Sequence, residues 1–126
     1  RVLFRSSRSC YYGKMVPGFS DDWVFDWDGE RITRVGKEGT DRYNMVGVSY
    51  FKKADAAVIR DAIDAAYEKP GYEGLYWDEI VDRQLDKLNL DIHPVEKEQI
   101  VEIDSVAELA VIDESYREVL EKMQAE

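Results

Sequence analysis

Short runs of alternating or continuous apolar residues occupy the first 51 positions of the chain, and helical spacing takes over after them. Residues 10–16 carry the aromatic and β-branched types that strands favour, and they stop at Pro17-Gly18. In a strand over 23–27, Trp23, Phe25 and Trp27 share one face and Val24 takes the other. Asp28-Gly29 then leads into 31–35, the two-residue signal for a tight β-hairpin. Residues 37–42 read as a loop. The apolar run 44–51 has the profile of a central buried strand, and Gly47 within it marks either a bulge or a place where a ligand or backbone comes close.

Helical spacing begins with Ala57, Val58, Ala62, Ile63, Ala66 and Tyr67, which predict a helix over 54–67 stopped by Pro70-Gly71. A second amphipathic helix starts near Asp78, where Ile80, Val81, Leu85 and Leu88 are interleaved with Asp82, Arg83, Asp86 and Lys87. Two short strands are expected at 91–95 and 99–103. Ser105 and Glu108 then match a capping box, with the hydroxyl accepting from the Glu108 N–H and the carboxylate returning to the Ser105 N–H. A terminal helix starts there and continues or restarts through 116–123, its acidic run forming a solvated face. Residues 5–9 read as a polar, mobile lead-in.

Composition narrows the class. A chain of 126 residues holds one compact core, so one domain or part of one is expected. The 44% hydrophobic content argues against disorder, and a formal charge of −10 argues against a nucleic-acid partner, which wants a basic face. No apolar run approaches the roughly 20 residues of a spanning helix, and Arg1-Val2-Leu3-Phe4-Arg5 lacks the apolar core of a signal peptide. A cytoplasmic protein without a membrane partner is the expectation. Cys10 and His93, each single of its kind, leave no disulfide and no zinc site and read as structural. The chain opens without Met inside what looks like a strand region, as a piece of a longer protein would.

The densest chemistry lies in Leu75-Tyr76-Trp77-Asp78-Glu79-Ile80-Val81. At the N-cap or first turn of its helix, Asp78 is kept ionised by backbone N–H groups and the helix dipole, ready to cap the helix or to hold a hard cation such as Mg2+. Tyr76 and Trp77 offer ring faces beside that charge, an arrangement that favours a quaternary ammonium. Trp23, behind Asp21 and Asp22, either packs the hairpin or lines the same pocket.

Gly47-Val48-Ser49-Tyr50-Phe51, a helix ending Ala65-Ala66-Tyr67, Leu75-Tyr76-Trp77-Asp78 and Glu102-Ile103-Asp104-Ser105 follow one another over roughly residues 8–120. In that order and spacing they resemble the C-terminal half of bacterial phosphocholine cytidylyltransferases of the choline-incorporation (Lic) type, in the nucleotidyltransferase superfamily. The resemblance implies an α/β fold: the C-terminal portion of a Rossmann-like domain, a mixed sheet with a β-hairpin and flanking helices. It implies an enzyme joining CTP and phosphocholine into CDP-choline and pyrophosphate, with Asp78 as one of two aspartates on a catalytic Mg2+. Trp23, Tyr76 and Trp77 would line the choline pocket, with Asp22 beside them and Gly47 close to the substrate. Lys37 is a candidate for a substrate phosphate.

Departures matter equally. The family's glycine-rich phosphate loop with its arginine, its N-terminal lysine and the first metal aspartate belong to a half that residues 1–126 do not contain, so this chain is expected to be inactive by itself. Its exposed apolar surface is expected to be covered by a second copy or by another contact. Glu68-Lys69-Pro70 follows the buried strand and a helix, so the phosphate role of a similar motif in sugar relatives is not transferred to it. Two other readings stand beside the first: a nucleotidyltransferase for another phosphorylated amine or a sugar 1-phosphate, and a non-catalytic acidic interaction domain.

Overall fold

The computed structural model describes residues 8–126. The expectations for Arg1-Val2-Leu3-Phe4-Arg5, and for the lead-in as far as residue 7, lie outside the described residues. Of the rest of that lead-in, Ser9 is fully buried: its hydroxyl accepts from the Lys52 N–H at 2.8 Å and donates to Asp55.

Two long strands dominate, β1 (Cys10–Trp27) and β2 (Ile32–Tyr50), paired antiparallel from Cys10 opposite Tyr50 to Trp27 opposite Ile32. The sequence signals for a turn at Pro17-Gly18 and a loop at 37–42 therefore do not break the strands. They appear as register shifts, with left-handed backbone at Gly18, Glu38 and Asp41, and the Asp41 carboxylate accepts from the Gly18 N–H at 2.7 Å. Bulges of this kind sharpen twist. The hairpin curls until Val24 and Phe25, paired with Gly36 and Val35 on one edge, also pair with Asn44 and Tyr43 on the other. The link at its tip has four residues rather than two. Asp28 stabilises it by accepting from the N–H groups of Glu30 and Arg31, both at 2.8 Å, and Gly29 takes φ 97°.

A short strand β3 (Asp91–Pro94) lies parallel to β1 on its other edge, giving the order β2-β1-β3. Between β2 and β3 run helix α1 (Lys53–Tyr67), a 3-10 turn at Tyr72–Gly74 and helix α2 (Trp77–Arg83). Ile59 of α1 and Val81 of α2 meet Tyr11, Phe25, Ile32 and Val35 from the hairpin and Ile92 from β3 in one core. Helix α2 is shorter than its periodicity predicts, yet Leu85 and Leu88 still reach that core from the turns after it. Arg31 holds those turns by donating to the carbonyls of Leu85 and Leu88, the latter at 2.7 Å.

Residues 99–103 form no strand. Helices α3 (Val106–Ile112) and α4 (Arg117–Ala125), joined by a 3-10 turn at Glu114–Tyr116, pack on one another. Ser105 caps α3 by accepting from the Glu108 N–H at 3.1 Å, but the Glu108 carboxylate returns to the Asp104 N–H, one residue earlier than expected. Large apolar side chains stay at the surface, Phe19 at 67% and Val111 at 86% exposure among them. The run 44–51 is less buried than its composition predicts, with Val48 and Tyr50 exposed.

Gly47 adopts φ +84° where β2 shifts register against β1, and a Cβ there would meet nothing within 4 Å. Backbone strain is then the whole cost of adding one, about 1 kcal/mol. Gly47→Ala is expected to lower the unfolding free energy by that amount, read as a lower urea midpoint at unchanged slope; an unchanged midpoint would show that the bulge does not need glycine.

Candidate functional site

Helix α2 begins where three consecutive side chains diverge. Gly71, at φ 92°, turns the chain after α1, and Tyr76 stays extended before α2, its N–H donating to the Glu79 carboxylate at 2.8 Å. From that fixed start Tyr76 leans towards the hairpin, its ring 5.7 Å from Trp23 in an edge-on pair. Trp77 instead stacks on Tyr11 at 6.2 Å and stands edge-on to Phe51 at 6.1 Å. Asp78 turns inward and accepts a 2.8 Å hydrogen bond from the Tyr11 hydroxyl.

The four predicted aromatic and acidic residues thus fall into two adjoining groups. Trp23 and Tyr76 line a hollow of about 500 Å³ together with Arg34, Lys37, Glu79, Asp82 and Arg83. Trp77 and Asp78 belong to the neighbouring Tyr11 cluster and do not line that hollow. Lys37, read from sequence as a loop residue, lies in β2 opposite Trp23. Its ammonium sits 5.8 Å from the Trp23 ring centre and 5.9 Å from that of Tyr76. Asp22 is exposed on the hairpin, its N–H donating to the Ser20 hydroxyl at 3.2 Å, and it is not part of the hollow. Gly47 stands at the register shift, and that bulge accounts for the glycine. A groove of about 670 Å³ between α1 and α2, lined by Val58, Leu75, Ile80, Lys69 and Pro70 among others, shares Arg83 with the hollow.

Electrostatics at Asp78 run against the sequence expectation. With 8% exposure its carboxyl is pushed above the ordinary range by burial, and the hydrogen bond from Tyr11 opposes this without overcoming it. Proximity to a helix start does not compensate for the loss of water. Burial likewise drives the Tyr11 phenol up, helped by the charge of Asp78 and by their hydrogen bond. Among the described residues no Lys or Arg forms an ion pair with Asp78, and no three His, Cys, Asp or Glu side chains cluster as a metal site. Cys10 is buried, and His93 packs against Tyr12 at 4.7 Å.

Sequence reasoning missed Tyr11, Glu79 and Asp82. Asp82 ties α2 to β2 by accepting from the Val35 N–H at 2.8 Å. Tyr11 lies 67 positions from Asp78, and no local pattern links the two.

The mixed three-stranded sheet with its flanking helices matches about half of a nucleotidyltransferase fold. The solved CTP:phosphocholine cytidylyltransferase of Streptococcus pneumoniae (LicC) superposes with a TM-score of 0.74 at 25% identity, over 91% of this chain and 52% of that one. The chain's homologues are cytidylyltransferases. It is 50% identical over 113 residues to a 2-aminoethylphosphonate cytidylyltransferase of Lancefieldella rimae, covering 89% of this chain and 46% of the relative. It is 26% identical over 115 residues to the choline-phosphate cytidylyltransferase of Streptococcus pneumoniae, covering 89% and 50%. The chain therefore spans about half the length of the curated relatives it matches. No protein-family model matches it. Among the described residues no helix is long and apolar enough to cross a membrane.

Because folding raises the proton affinity of Asp78, the native state binds more protons than the unfolded chain between the ordinary value of 3.8 and the raised one. Its contribution to stability is therefore lost as pH rises through that window. Asp78→Asn is expected to remove this decline, seen as the difference between wild-type and variant urea midpoints from pH 3.5 to 7.5. Tyr11→Phe, which strips the buried carboxylate of its donor, is expected to cost about 2 kcal/mol at neutral pH. Parallel midpoints for wild type and Asp78→Asn across the range would contradict the burial argument.

Proposed function

We propose that this chain supplies the acceptor-binding part of an enzyme that transfers a cytidylyl group from CTP to a small amine bearing a phosphonate or phosphate. The observation that carries the reading is Asp78: a buried carboxylate with no Lys or Arg ion-pair partner among the described residues, next in sequence to Glu79 of a hollow that combines ring faces with charges of both signs. A buried, uncompensated carboxylate in a cleft is a functional-site signature. The hollow's Arg34 and Arg83 suit a phosphonate or phosphate. Glu79 and Asp82 each engage one oxygen on a backbone N–H and present a carboxylate that suits a primary ammonium.

The acceptor we favour is 2-aminoethylphosphonate, the substrate in the name of the relative at 50% identity. Phosphocholine is the second reading, supported by the ring faces of Trp23 and Tyr76 and by the relative at 26%. In either case an acceptor oxygen attacks the α-phosphorus of CTP in line. The new P–O bond forms as the bond to the bridging oxygen breaks, and pyrophosphate leaves with the electron pair. No covalent intermediate with the protein is needed, so positioning is the main task of these residues.

Mg2+ takes one or two carboxylates plus substrate phosphates, and the single buried carboxylate of Asp78 fits as one such ligand. The chemistry it supplies when bound is neutralisation of charge on the phosphates. Tyr11 fixes the orientation of the Asp78 carboxylate, and Tyr11 is itself held by Trp77 stacked on it and by Phe51 edge-on to it. The other half of the relatives' length would bring the nucleotide site. That half or a second copy would cover the exposed Phe19 and Val111.

The test is pyrophosphate release by the complete protein with CTP and Mg2+, offered 2-aminoethylphosphonate or phosphocholine. Turnover is expected with the phosphonate preferred, and Asp78→Asn should lower kcat by at least about a hundredfold. An Asp78→Asn protein as active as wild type would remove Asp78 from the chemistry.

A further inference from the structure

The hollow beside α2 already contains a cation of its own. Trp23 and Lys37 are directly opposed across the hairpin, so the register of β1 and β2 places the Lys37 ammonium against the Trp23 ring. The same ammonium lies over Tyr76, at 5.9 Å against 5.8 Å for Trp23, and those two rings meet edge-on 5.7 Å apart. Two rings in that arrangement form one seat for positive charge. Lys37 fills it.

We propose that Lys37 is a specificity-determining residue: by occupying the Trp23–Tyr76 seat it excludes quaternary ammonium groups and leaves Glu79 and Asp82 to receive a primary amine. A trimethylammonium group cannot donate a hydrogen bond to Glu79 or Asp82, so it gains most from the ring pair, and there it meets a like charge. Arg34 and Arg83 on the same walls add to the repulsion. A primary ammonium has donors and needs acceptors, which Glu79 and Asp82 supply 3 residues apart on one side of α2. Discrimination of this kind works through an introduced repulsion as much as through a better fit. The inference deepens the proposed acceptor class and rests on that reading for its biological meaning, while the seat itself is a matter of geometry.

Choline chloride titrated into the complete protein, followed by calorimetry, tests the seat without relying on turnover. Lys37→Met is expected to bind choline at least about tenfold more tightly than wild type, and Lys37→Arg, which keeps a cation over the rings, to behave as wild type. Indistinguishable choline binding by wild type and Lys37→Met, at any affinity or at none, overturns the role of Lys37. In a parallel assay with CTP, Lys37→Met should shift the ratio of kcat/KM values towards phosphocholine by a similar factor. Absence of turnover by wild type with both acceptors would overturn the acceptor reading, and the choline titration would still decide the function of Lys37.

Discussion

The hydrogen bond from Tyr11 to Asp78 joins the first strand to the first turn of α2, and the arrangement of the site depends on it. Tyr11 is buried among Phe25, Phe51 and Trp77, so its hydroxyl is held in place by ring packing before it meets any acid. Bringing a carboxylate there removes it from water, and one strong donor offsets only part of that loss. The residual imbalance leaves Asp78 short of positive charge. Among the described residues no Lys or Arg forms an ion pair with it.

The curled hairpin makes that junction possible. A flat hairpin of this length would project far from its base, with Trp23 remote from α2. Register shifts near Gly18, Asp41 and Gly47 bend β1 and β2 until Val24 and Phe25 are paired on both edges. That returns Trp23 to the side of Tyr76. Asp82 and Arg31 hold α2 and its following turns against the hairpin from two points, through Val35 on one side and the Leu85 and Leu88 carbonyls on the other. The hollow is thus bounded by elements fixed through backbone contacts, with the adjustable side chains confined to its lining.

Much of this was legible in sequence because it is local. Helix α1, the start of α2, β3 and the Ser105 cap all follow from spacing and capping chemistry within a few residues of each other. Strand continuity was not legible: Pro17-Gly18 and the polar run 37–42 carry the residue types of turns, and only pairing with the opposite strand turns them into bulges. Residues 99–103 failed as a strand for the converse reason, since β-forming side chains without a neighbouring edge gain no ladder. Within the site, Asp78, Tyr76 and Trp23 were visible as chemistry out of place on a surface. Tyr11 was not, because a tyrosine in a strand looks like any other core residue until its acceptor arrives from far along the chain.

The parallel pairing of β1 with β3 joins Cys10 to Asp91, the two ends of a segment that holds the hairpin and both core helices. Ladder bonds between such distant partners form only after the intervening loop has been closed, and closing it is slow compared with zipping a hairpin. Among the described strands, β3 is therefore the last to pair, because its contacts with β1 need the chain as far as residue 94. Within this segment the hairpin can close early and the parallel edge late, so the order of pairing follows the length of chain that each pair must bring together.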